Sequence, residues 1–112
     1  NFLDVDAWGD PWPVLAAFFD VEREYPDKLA VVVTDGLRLK AKTGSGWNAK
    51  SLSRMTQALG NDALYDSYLD ICQSELARLA KSQGYKLAEW VGYYCGYMKQ
   101  MTHYAALLNR SN

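Results

Sequence analysis

Apolar positions recur every three or four residues along most of this chain, and every second residue in one stretch. Val14, Phe18, Val21 and Tyr25 step by 4, 3 and 4, and Leu15 and Phe19 widen the stripe. That spacing predicts a helix with one buried side. Asp10 followed by Pro11 reads as its N-cap and first turn, and Pro26 ends it after Tyr25. Residues 1–9, NFLDVDAWG, carry no such period. They read as an acidic-aromatic arm ahead of a single compact domain over 10–112, anchored on its own domain or on a partner by Trp8 and Trp12.

The period changes to two in KLAVVVTDGLRLKAKT, residues 28–43. Asp35-Gly36 is a turn signal between two apolar runs, so the stretch predicts a β-hairpin. A three-residue turn with a bulge at Gly36 pairs Val33 with Leu37, Val31 with Leu39 and Leu29 with Ala41. All six apolar residues then share one face, and Arg38, Lys40 and Lys42 share the other. Register follows the buried set.

Beyond a Thr-Gly-Ser-Gly joint, a short helix is expected from about Asn48 to Leu59, ended by Gly60. Asn61 or Asp62 would cap a longer helix to about Ser82, with its seam at Tyr65, Leu69, Cys72, Leu76 and Leu79. Gln83-Gly84 breaks it. Leu87, Val91, Tyr94, Met98, Met101, Ala105 and Leu108 then step by 4 and 3 in strict alternation, the pattern of a heptad seam. It predicts a last helix over about 86–109, folded back on the one before.

The fold class expected from these elements is α+β and mainly helical: an N-terminal helix, one β-hairpin, a short helix, and a C-terminal long antiparallel αα-hairpin. Its core would hold Val14, Phe18, Val21, Val31, Val33, Leu37, Leu39, Leu69, Leu76, Val91, Tyr94, Met98 and Met101. In such a hairpin Cys72 and Cys95 lie at one level. As an intracellular, cytoplasmic protein, the reading favoured here, it would keep them as packed thiols.

Composition sharpens this only in places. The 112 residues are 49% apolar and 22% charged, with 8 tyrosines and 4 tryptophans, which is globular and aromatic-rich. The net charge of −1 hides a division. Residues 1–27 hold seven acids against Arg23, and residues 28–54 hold six cations against Asp35. Bulk nucleic-acid binding is disfavoured, while a local basic patch stays open. No apolar run reaches the roughly 20 residues of a membrane span, so no membrane partner is expected.

Two surfaces carry candidate chemistry. Trp90, Tyr93, Tyr97 and Tyr104 form a second row beside the seam of the expected last helix. Such residues dominate binding hot spots, but they also suit a core boundary where a hydroxyl or indole N–H finds a partner. Arg38, Lys40 and Lys42 lead into Gly44, Gly46 and Trp47, then a helix bearing Lys50 and Arg54. Backbone N–H groups, a helix N-terminus and cations would suit a phosphate, and Trp47 a stacked base. The Walker spacing is absent, and a solvated strand whose charges protect its edge explains the alternation more simply.

Gly92 and Gly96 inside the expected helix cost about 1 kcal/mol each relative to alanine, so something should approach them closely. Catalytic signals are weak. His103 is the lone histidine, and on a helix it would stand about 12 Å along the axis from Cys95, too far for a nucleophile–base pair. Asp62, Asp66 and Asp70 read as a solvated face rather than a metal site. The sequence therefore points to a non-catalytic interaction protein with no cofactor or metal: an adaptor, inhibitor or assembly subunit. It would bind a protein partner or itself through the aromatic row. The alternative is a nucleic-acid-binding accessory protein using the basic hairpin and Gly-rich loop.

Overall fold

The computed structural model describes residues 2–6, 11–38, 60, 65–96 and 101–110. Along the chain run β1 (Phe2–Asp6), α1 (Trp12–Asp20), β2 (Lys28–Asp35), α2 (Tyr68–Lys81), β3 (Tyr85–Cys95) and β4 (Met101–Arg110). The strands form one mixed sheet in the order β1-β2-β4-β3. β1 and β2 are parallel, and the β2–β4 and β4–β3 pairs are antiparallel. Both helices lie on the same side of this sheet, Trp12 of α1 stacking on Tyr104 of β4 and Tyr68 of α2 reaching Asp35 of β2.

The mainly helical fold is overturned, and with it the C-terminal αα-hairpin. Residues 85–95 and 101–110 are two long strands, and Gly96 follows the first at φ +81°. The 4-and-3 steps that look like a seam fall on both faces of this β-hairpin. Leu87, Tyr94 and Leu108 face the helices, whereas Val91, Met101 and Ala105 face away. Trp90, Val91, Tyr93 and Tyr94 are strong strand formers. Gly92 and Gly96, a cost to a helix, suit a close approach and a turn. The close approach is from α2: a Cβ on Gly92 would lie 2.6 Å from Leu69 Cδ2.

The β-hairpin expected over 28–42 is also not the pairing found. β2 does end at Asp35, but both of its edges are taken, by β1 and by β4, with Val31 opposite Leu3 and Ala106. Val31-Val32-Val33 is apolar on both faces, as a central strand requires, and the local run after the turn offers it only one neighbour. Leu37 is nonetheless buried. The expected partner residues 39–42, and the short helix at 48–59, lie outside the described residues.

The N-terminal arm is a strand over Phe2–Asp6 that extends the sheet. α1 is shorter than its apolar stripe implied, and its buried side is turned. Trp12, Leu15 and Phe19 face the sheet, while Val14 is 53% exposed and Val21 lies beyond the helix. Trp12 and Phe19 take the core and stack against Tyr104 and Tyr25. α2 is as expected at its end. Its last turn closes through Ser82, Gln83 and Gly84 amides onto the carbonyls of Leu79, Ala80 and Lys81, and Gly84 sits at φ +82°. Val31, Val33, Leu37 and Leu76 belong to the core as read from sequence, Val91 does not at 64% exposure, and Leu39 and Met98 lie outside the described residues.

Candidate interaction surface

A polar knot ties the middle of the molecule together. Asp35, fully buried at the end of β2, accepts hydrogen bonds at Oδ2 from Tyr68 (2.7 Å) and Tyr104 (2.9 Å). The Cys72 thiol lies 3.9 Å from the same oxygen. Oδ1 accepts the Leu37 amide at 2.7 Å, which turns the chain out of the strand. Burial, above all, pushes the Tyr68, Tyr104 and Cys72 pKa values well up, and the neighbouring charges of the knot add to it. The three groups therefore stay protonated. With every member buried, the knot joins β2, α2 and β4 and offers a ligand no approach.

The next turn is locked in the same way. Arg38, 7% exposed, lies between two rings, with its guanidinium 4.0 Å from the Tyr65 centroid and 3.7 Å from that of Tyr94. Its Nε donates to the Tyr65 carbonyl, and the Tyr94 hydroxyl accepts the Leu69 amide at the start of α2. Arg38 is thus packed into the fold rather than held out on a basic face. The other residues of the phosphate reading, Lys40, Lys42, Gly44, Gly46, Trp47, Lys50 and Arg54, lie outside the described residues.

The aromatic row does not share one face. Trp90 and Tyr104 are stacked at 5.1 Å on the helix-covered side of the sheet, and Tyr104 is buried. Tyr93 is on the other side, 58% exposed, with its ring beside His103 at 5.4 Å. Tyr97 lies outside the described residues. The spacing of the row predicts a helix, where residues three and four apart are neighbours. On strands, parity decides, and Tyr93 parts from Trp90 and Tyr104.

What parity assembles instead is the open face of the sheet. Phe2 on β1, Ala30 and Val32 on β2, Ala105 and Leu107 on β4, and Val91 and Tyr93 on β3 stand side by side there. Phe2 is 64% exposed, as much as Val91. A shallow depression of about 580 Å³ runs between Ala30, Ala105, Leu107, Glu89 and Val91. Charges frame it unevenly. Asp4 and Asp6 lie along β1, and Lys28 and Lys86 lie at the end of the sheet where β4 finishes, both level with Asn109. His103 sits near the opposite end, 3.3 Å by Nδ1 from the Thr34 hydroxyl. The alternation of 28–34 carries the signal for this face, but the spacing of its partner strands predicts a helix.

Comparison with protein-family models, with curated proteins and with solved structures found no match to this chain. Among the described residues, no helix is long and apolar enough to cross a membrane, and no group of histidine, cysteine and carboxylate side chains is placed to hold a metal ion.

Proposed function

We propose that this protein is a non-catalytic interaction module, an adaptor, inhibitor or assembly subunit, whose contact surface is the open face of the sheet. One observation carries the reading: Phe2, Val91 and Tyr93, three large apolar side chains, are each more than half exposed on the face opposite the helices. Contiguous apolar patches on a soluble domain mark sites of association, and Tyr93 is a residue type enriched at binding hot spots. The polar knot is closed, so it supports the scaffold rather than a reaction.

The test is substitution at the centre of the face. Val91→Lys and Tyr93→Lys should leave the unfolding free energy from urea titration within about 0.5 kcal/mol of the parent at low protein concentration, as surface changes do, while association through the face is lost. A cost of about 2–4 kcal/mol, the range for a buried aliphatic, would make the face part of the core and overturn the reading.

A further inference from the structure

We infer that the open face seats a second copy of this chain, the two sheets packing face to face about a two-fold axis with their strands crossing near a right angle. The inference rests on the reading of that face as a contact surface, and names its occupant.

The charges select the copy and its orientation. β1 and β3 are the outer strands. Lys86 lies at the start of β3, level with Asn109, and Asp6 at the end of β1, level with Thr34, which is itself opposite His103. Lys86 and Asp6 therefore occupy diagonally opposite corners of one face. A two-fold axis in the plane of the interface, along the other diagonal, lays each Lys86 on the other copy's Asp6 and each Asn109 by Asp4, with Lys28 over Phe2. The Tyr93 corner falls on the axis, so each Tyr93 meets its counterpart. Isologous pairing of one patch with itself is the commonest form of oligomer, and orthogonal crossing is one of the two ways sheets pack.

The size is sufficient. Strands about 4.8 Å apart rising about 3.3 Å per residue give four strands a footprint of roughly 500 Å², so the pair buries roughly 1,000 Å², at the lower bound for a specific interface. An interface of that size belongs to the weak, transient class, so the dimer is sought at micromolar and higher protein concentration. The sheet edge is the poorer alternative. β3 carries a bulge between Leu87 and Glu89 with charged residues on either side, a device that discourages edge pairing.

Sedimentation equilibrium from about 1 to 200 µM, spanning the micromolar range, tests it on the full chain. The parent should pass from monomer to dimer. Asp6→Lys and Lys86→Asp should each raise the dissociation constant roughly 5- to 30-fold, because each turns two attractive contacts into repulsive ones. The double variant should return to within about 2-fold of the parent. Val91→Lys should abolish the dimer. A parent that stays monomeric, with Val91→Lys neutral for stability, overturns the second copy as occupant and leaves the contact-surface reading standing. Destabilisation of the monomer by Val91→Lys overturns that reading itself. A dimer that Val91→Lys leaves intact, or one that ignores both charge reversals, overturns the arrangement.

Discussion

The Tyr104 hydroxyl donates to Asp35 Oδ2 at 2.9 Å, joining residues 69 apart in sequence across the β2–β4 pair. Tyr68 donates to the same oxygen from α2. A buried carboxylate needs such partners, and they in turn need it. Asp35→Ala should therefore cost about 3–5 kcal/mol, as for loss of one side of a buried charged network. Tyr104→Phe, which removes one donor and keeps the ring stacked on Trp90, should cost about 1–3 kcal/mol. Urea denaturation of the three proteins at neutral pH measures both, and a neutral Asp35→Ala would mean the knot does not hold the fold.

Alkali should loosen the protein before its surface charge explains it. Burial raises the folded pKa values of Cys72, Tyr68 and Tyr104 above those of the unfolded chain. The unfolded chain then loses protons first. The stability these groups contribute is complete below the ordinary values, about 8.5 for the thiol and 10 for the phenols. It falls as pH rises past each, by up to about 1.4 kcal/mol per pH unit per group. The unfolding free energy measured from pH 7 to 11 should bend downward in two stages, and Cys72→Ala should remove the first.

Gly92 distinguishes strand from helix directly. On an exposed helix, Gly92→Ala would stabilise by about 1 kcal/mol. Here a Cβ would stand 2.6 Å from Leu69 Cδ2 and 3.2 Å from Tyr104 Cβ. The substitution should instead cost about 1–3 kcal/mol, the range for overpacking. Leu69→Ala in the same chain should recover part of that loss, as a double-mutant cycle in chemical denaturation would show.

Arg38 should behave as a core residue. Its guanidinium carbon lies 4.0 Å from the Tyr65 ring centroid and 3.7 Å from that of Tyr94, and its Nε donates to a carbonyl. A lysine keeps the charge but loses the plane that stacks. Arg38→Lys should lower the thermal midpoint by several degrees, about 1–2 kcal/mol for a desolvated cation–π contact. A midpoint equal to that of the parent would return the side chain to the surface.

Much of the chain's local structure was legible in its residues. α2 follows from Leu69, Cys72, Leu76 and Leu79 at helical spacing, and Gly84 from the left-handed end that a helix stop demands. β2 follows from the alternation of 29–35, up to its end at Asp35. The site was less legible. The aromatic spacing groups Tyr93 with Trp90 and Tyr104, but Tyr93 is exposed while the other two stack on the helix-covered side.

These residues specify their periods by themselves, and a period settles an element when one geometry alone can bury the apolar set. That holds for α2 and for β2. It fails for 85–95 and 101–110, where a seam of 4 and 3 steps is also a set of strand positions shared between two half-buried faces. Long-range pairing decided there. β2 is apolar on both sides and needs a strand at each edge, and β4 supplies the second only if the C-terminal region is extended. Once β4 lies beside β2, Tyr104 meets Asp35 and Leu69 meets Gly92. Parity then turns Val91 and Tyr93 outward, so that the open face exists only in the assembled sheet.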